Sequence, residues 1–414
     1  MKAKALDLDP VEKFIAGDAW ARWLANHRLS FSAIWRKILK TRFDMNSPHK
    51  ITGLCFILLY SFTHSLLPAA DPAWSRATAP RDWQFPRDHG AHPDYKTEWW
   101  YFTGNLATQD GRRFGYQLTF FRQGLRLSEL KSTSRWTLTD LYFAHFTITD
   151  VKNDKFHFTE KLNRGSLGQV ETSTTGMFLR MENWRIQTIG PDRYQLLAEN
   201  DEFGLSLEVA AVKSLVLQGN KGLSQKGAEP GNASHYYSYT RMKSSGTIRI
   251  GKESFPVNGL SWFDHEFSTS SLSADQAGWD WFSIQLENGE ELMLYQIRRQ
   301  DGSKDPLSKG TWVLEKAGIP LQANDFTIEA TDQWKSPLKG KYPASWKITI
   351  PKLEAVLEVR PQVKDQELRL SALSEFSYWE GTCKVEGIVK GQKVTGYGYT
   401  ELTGYASPVG PEMK

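Results

Sequence analysis

The sequence predicts an all-β protein in which one antiparallel β unit is followed by a second, homologous one. Three observations carry that reading. Beyond residue 85, short aromatic and β-branched runs such as Gly115–Arg122, Leu141–Thr149, Trp184–Ile189 and Tyr194–Ala198 are separated by Asp-Gly, Asn-Gly and Gly-Lys turns. That is the texture of a sandwich or barrel. No sustained 3.6-residue period appears past residue 45, so long helices are not expected. The chain also repeats itself: Tyr101–Leu106 lines up with Trp281–Leu286, and Val257–Asp264 with Val394–Glu401. Upstream of the second pair, Gly246 and Thr247 line up with Gly381 and Thr382. Opening and closing strands recur in one order, which is the mark of a duplication.

Taken in order, residues 1–44 hold an amphipathic stretch (Phe14, Ile15, Trp20, Trp23, Leu24, then Ile34, Trp35, Ile38, Leu39) and read as an extension ahead of a start at Met45. Residues 45–70 have the grammar of a secretory signal: His49 and Lys50, the apolar run Ile51–Leu67, then Pro68, Ala69 and Ala70. The run is broken by Ser61, Thr63, His64 and Ser65, which suits a cleaved segment better than a bilayer span of ~20 residues. Residues 71–85 are a linker, 86–268 the first β unit and 269–414 the second. Export to the periplasm or the outer face of the envelope follows as an expectation.

Charge narrows the function. Of 51 Lys and Arg and 47 Asp and Glu, residues 1–70 hold ten and five. The body is therefore nearly neutral and lacks the basic footprint of a nucleic-acid binder. The two cysteines, Cys55 and Cys383, leave one thiol if the leader is removed, and they cannot build a cysteine-rich metal site. The Gly219–Gly227 stretch does not have phosphate-loop spacing, and no G-x-S-x-G elbow is present. No metal or organic cofactor is implied.

Three clusters carry candidate chemistry. Asp88, His89, His92 and Asp94 lie on a Gly- and Pro-containing loop before Glu98, Trp99, Trp100 and Tyr101. Glu98, entering an aromatic strand, should either find an Arg or Lys or keep its proton. In Trp262–Phe267, alternation puts Trp262, Asp264 and Glu266 on one face and Phe263, His265 and Phe267 on the other. An inward Asp264 among aromatics is the setting of a general acid. In His235–Arg241, His235, Tyr237 and Tyr239 share a face, and His235 and Tyr237 are expected to meet Asp264 across the sheet. The second unit's counterparts are Tyr378–Glu380 and Tyr399–Glu401.

These motifs resemble the AttH/CrtC-like lipocalin family: Phe85–Gly104, Lys226–Ser238, Trp262–Phe267, Gly278–Phe282, and Tyr378–Gly381 through Glu401–Tyr405. The resemblance spans about residues 83–410 and implies two consecutive lipocalin-like antiparallel β-barrels. That family includes AttH components encoded beside ABC-type permeases and carotenoid 1,2-hydratases, which add water to an isoprenoid C=C. The hydratase branch resembles this chain at a His-x-Trp and a Tyr-x-Asp pair. By position these fall on His235 and Tyr237, where Tyr stands for Trp, and on Trp262 and Asp264, where Trp stands for Tyr. The resemblance implies Asp264 as acid, His235 positioning it or water, and Tyr237 and Trp262 facing a cation. Glu98, Trp100, Tyr239, Glu266 and Trp281 are the expected ligand-binding residues.

The resulting expectation is an exported protein that binds an apolar molecule, a lipid or isoprenoid, with an ABC-type permease as partner. The alternative is a cofactor-independent hydro-lyase.

Overall fold

The structure is a computed structural model that describes residues 73–406 except 126, 128–137, 166, 271, 339 and 371–376. The amphipathic stretch and the leader expected over 1–70 lie outside the described residues. Two antiparallel sheets hold nearly all of the regular secondary structure among the described residues. The first spans Thr97–Ser268 and the second Gln276–Leu402. In each, the two edge strands are consecutive in sequence: Lys155–Asn163 and Val170–Thr172 in the first, Gly318–Gln322 and Thr327–Lys335 in the second. Each sheet therefore curls back on itself into a nearly closed, lipocalin-like barrel.

Each barrel has its own apolar interior. Phe102, Leu106, Phe114, Leu118, Phe146 and Trp184 fill the first; Phe282, Ile284, Leu286, Leu294, Trp346 and Leu357 fill the second. The other face of several strands is also buried, because the barrels pack against each other there. On Thr97–Ala107 the residues alternate accordingly: Trp100 and Phe102 belong to the first barrel's core, while Tyr101 reaches across to Glu380 and Asn105 donates to the Gly398 carbonyl at 3.1 Å. The seam is aromatic and hydrogen-bonded, with Tyr101, Tyr236, Trp262, Trp281, Met293, Tyr295 and Ile297 as its apolar part. Glu291, fully buried, ties the barrels together by accepting from Lys213 at 2.9 Å and from Arg241.

The duplication is visible in the register. In the first barrel Ser238, Asp264 and Tyr101 lie side by side across three strands; in the second, Glu380, Glu401 and Trp281 do. The equivalent residues Tyr101 and Trp281 meet at the seam edge to face, ring centres 5.2 Å apart. Gly259 and Gly396 are equivalent too, and for one reason. A Cβ at either would stand 2.1 Å from the Asn105 carbonyl oxygen or 2.3 Å from that of Gln285, the matching residue. The expected pairing of Gly246 with Gly381 is corrected. Gly246 lies opposite Val257, and the residue opposite Val394 is Gly387. Gly381 lies six residues earlier on that strand, opposite Thr400.

A candidate acid–aromatic site between the barrels

Strand parity decides which groups meet. Trp262, Asp264 and Glu266 face the seam, whereas Phe263, His265 and Phe267 face into the first barrel, as alternation predicts. On the neighbouring Ala233–Ile250 strand, however, Ser238 lies opposite Asp264 and Tyr236 opposite Glu266. Cross-strand partners share a face, so it is Tyr236 and Ser238 that reach Asp264. His235, Tyr237 and Tyr239 point into the first barrel. The expectation that His235 and Tyr237 meet Asp264 is therefore corrected: the four residues carried over as one catalytic set divide between two faces of one sheet.

Asp264 is 3% exposed. Its Oδ2 accepts from the Tyr236 hydroxyl at 2.7 Å, and its Oδ1 accepts from Ser238 at 2.5 Å and from the Trp262 indole at 2.8 Å. Among the described residues no cation pairs with it. Burial pushes its pKa up to about 7 against the pull of those three donors. Glu266 is salvaged differently: Lys226 lies 2.8 Å away and Ser234 donates to it. The Lys226 ammonium also lies 4.5 Å from the centre of the Tyr295 ring and 5.3 Å from that of Tyr236.

The second barrel brings its own acids. Glu401 accepts from the Trp279 indole at 3.0 Å, and burial pushes it up to about 8. Glu380, directly across the strands from it, accepts from the Tyr101 hydroxyl at 2.7 Å. Burial and the neighbouring Glu401 hold Glu380 well above the usual carboxylate range. The rings close the set: Trp281 lies edge-on to Trp262 at 6.2 Å and donates to the Tyr236 hydroxyl at 3.2 Å. Trp99, Leu272 and Trp279 are only partly buried and mark the edge of this cluster. Carboxyls that no described cation bonds, with Lys226 held by Glu266, thus stand against aromatic faces, an arrangement that can protonate an apolar molecule and stabilise the cation formed.

The first barrel's interior holds the remaining expected residues in a different chemistry. Glu98 does find its arginine: Arg122 Nε lies 3.2 Å from Oε2. The His92 backbone N–H and Nδ1 and the His265 Nε2 also bond it, at 2.8–3.1 Å. Burial opposes ionisation, but these partners hold Glu98 well below the usual carboxylate range. His92 bridges Glu98 and Asp88 and is raised, against burial, by both. The ligand atoms of His92, Glu98 and His265 lie within 4.8 Å of one another, a spacing that a metal ion could use. Those same atoms are engaged with each other and with a guanidinium, so the group is complete as a charge-paired network.

Trp100 stacks on His265 at 4.9 Å, and Tyr239 donates to Asp192 at 2.6 Å. Tyr237 shares its hydroxyl with His89 at 2.7 Å and His265 at 3.1 Å. His235 packs among Trp83, Tyr95 and Phe267, and burial lowers it to about 4. Of the expected ligand-binding residues, then, Glu266 and Trp281 lie with Asp264 and Trp262, while Glu98, Trp100 and Tyr239 do not. Sequence reasoning missed Tyr236, Ser238 and Lys226. Glu380 and Glu401 were marked only as counterparts.

Comparison with known proteins gives one family and a fold shared with one hydratase of known structure. The sequence model of the AttH-like family matches residues 76–405. The crystal structure of an AttH protein from Nitrosomonas europaea is 32% identical, with a TM-score of 0.71, covering 80% of this chain and 99% of that one. Kievitone hydratase from Nectria haematococca is 14% identical with a TM-score of 0.60, covering 82% and 99%, a likeness of fold. Dehydratase asqC of Emericella nidulans is 22% identical over 225 residues, 51% of this chain. The match takes in 60% of that relative's length, less than two thirds.

Proposed function

The chain belongs to the AttH-like family, and from that premise we propose that it binds an uncharged apolar molecule, a lipid or isoprenoid, in the seam between its barrels and adds or removes water there. One observation carries the reading. Asp264 is a buried carboxyl with no cationic partner among the described residues, held near pH 7 and bonded by Tyr236, Ser238 and Trp262. Such a group exchanges a proton with a substrate at neutral pH in either direction.

In hydration, the Asp264 O–H protonates one alkene carbon. The positive charge develops on the more substituted carbon, facing Trp262 and Trp281, and water adds to it. Dehydration runs the same steps backwards, so the hydratase and dehydratase names of two relatives describe one chemistry. The test is the pH–rate profile on a panel of isoprenoid alkenes and their tertiary alcohols. A limb with an apparent pKa near 7 that disappears, with the activity, in Asp264→Asn supports the reading. Full activity in that variant overturns it.

A carrier without turnover is the second reading. The Lys226–Glu266 pair beside Tyr236 and Tyr295 favours it, since an ion pair against two rings is a cap that needs no proton transfer. Tight binding of an apolar molecule that Asp264→Asn leaves unchanged, with no product from any alkene or alcohol, selects it. Export to the periplasm or outer face rests on the Ile51–Leu67 run, and an ABC-type permease partner rests on the family resemblance. Fractionation with N-terminal sequencing tests the first, and co-purification from the envelope tests the second.

A further inference from the structure

Glu380 presents a carboxyl oxygen that nothing answers. It lies on Ser377–Val389 at the position equivalent to Ser238, whose hydroxyl holds Asp264 in the other barrel. Its Oε2 accepts from Tyr101, and its backbone N–H goes to the Gln366 carbonyl at 2.9 Å. Its Oε1 is fully buried and has no hydrogen-bond partner among the described residues. Nor does any described Lys or Arg pair with it. The titratable groups that face it are Glu401, Tyr101, Tyr378 and Tyr399.

Two carboxyls opposite each other in an apolar setting cannot both ionise. Burial and Glu401 raise Glu380 accordingly. A neutral carboxylic acid whose Oε2 already accepts a hydrogen bond turns its other oxygen outward as an O–H donor. A buried donor without an acceptor is costly. The partner that fits is an oxygen carried in by a ligand.

We propose that Glu380 is the catalytic residue that binds and protonates the substrate hydroxyl, while Asp264, reached through the Tyr101 and Trp281 rings that both carboxyls border, serves the neighbouring carbon. The proposal rests on the hydro-lyase reading and deepens it. In dehydration, the Glu380 O–H gives its proton to the hydroxyl, the C–O bond breaks and water departs. The Asp264 carboxylate then takes a proton from the adjacent carbon, and that C–H pair becomes the π bond. Glu380 ends ionised and Asp264 protonated, and exchange with solvent restores both. Hydration reverses every step: Asp264 protonates the alkene carbon and Glu380 takes the proton of the attacking water.

The substrate class follows. An anion such as a carboxylate, a phosphate or a coenzyme A ester would meet Asp264, Glu266, Glu380 and Glu401, with Lys226 already paired to Glu266. The site takes an uncharged tertiary alcohol or its alkene.

The probes are linalool, a tertiary alcohol, and myrcene, the alkene it yields on loss of water, each titrated against the tryptophan fluorescence of the full chain. Wild type is expected to prefer linalool about tenfold. Glu380→Leu should lose that preference and keep its myrcene affinity, and Glu380→Gln, whose amide N–H still donates, should keep part of it. A preference that survives in Glu380→Leu overturns the proposal, as does a wild type that binds neither probe. Infrared spectroscopy gives a second readout free of ligand. Wild type at pH 7 should show more protonated-carboxyl absorption than Glu380→Gln, in which Asp264 and Glu401 still contribute; equal absorption in both overturns the assignment. Turnover that persists in Glu380→Leu removes Glu380 while leaving the hydro-lyase reading in place. A hydroxyl preference that depends on Glu380 in a protein without turnover does the reverse.

Discussion

Replacing Asp264 by Asn should make the protein less sensitive to alkali, by an amount that the structure sets. The native carboxyl is buried and pushed up to about 7 from 3.8. As pH rises past 3.8 the unfolded chain gives up this proton, while the folded chain keeps it until about pH 7. The folded state therefore binds more protons across that window, so stability falls as pH rises through it and levels off beyond. Each unit of the window is worth about 1.4 kcal/mol. Between pH 5 and pH 8 wild type should lose about 3 kcal/mol on this account, and Asp264→Asn should not. Glu380 and Glu401 are also raised and add slope of the same sign. They do so in both proteins, so the quantity to measure is the difference. Urea unfolding of wild type and Asp264→Asn at pH 5 and pH 8 provides it. Asn keeps an amide oxygen for Ser238 and the Trp262 indole and turns its NH2 to the Tyr236 hydroxyl oxygen, so the variant is expected to fold. Curves whose midpoints shift in parallel with pH would refute the reasoning, because Asp264 would then titrate like an exposed carboxylate and would lack the proton that the chemistry requires.

Further outcomes follow from the same contacts. Glu291→Ala leaves Lys213 and Arg241 without their buried partner and should destabilise the chain by about 3–5 kcal/mol in a denaturant titration. Ala at Gly259 or Gly396 drives a methyl into a carbonyl oxygen of the next strand. Each should cost about 1–3 kcal/mol or more, read as a fall in melting temperature at both equivalent sites alike. Trp281→Leu removes a cation-facing ring but keeps an apolar wall. Turnover should fall about two- to thirtyfold while apolar ligand affinity changes little, since cation–π attraction of about 0.5–2 kcal/mol acts on the charged state alone.

Much of the fold was legible because β structure writes its period into the chain. The alternation at Trp262–Phe267 divides that strand between the seam and the first barrel as expected, although both faces are buried. The duplication was legible where both copies meet the same neighbour, as Gly259 and Gly396 do. The site was harder, and the reason is one residue. The hairpin that closes at Gly251 and Lys252 pairs Ile250 with Glu253 and, running back, Met242 with Ser261. Carried on unchanged, that register would bring Tyr239 opposite Asp264, the parity the sequence suggested. A bulge between Tyr239 and Met242 slips the strand by one, so Ser238 takes that place and Tyr239 moves opposite Phe263. A slip of one residue exchanges the two faces of a strand, and nothing in the residues 239–242 announces it. Tyr236 and Ser238 were thus unreadable as Asp264's partners, whereas Glu401 was marked as a counterpart because Val257–Asp264 lines up with Val394–Glu401.

The central claim is that the seam handles water on an uncharged isoprenoid. The most direct test is incubation of wild type and Asp264→Asn with a panel of prenyl alkenes in ¹⁸O-labelled water, followed by mass spectrometry of the extracted products. The account predicts a tertiary alcohol carrying one ¹⁸O from wild type and none from the variant. Labelled alcohol formed equally by both proteins would contradict it.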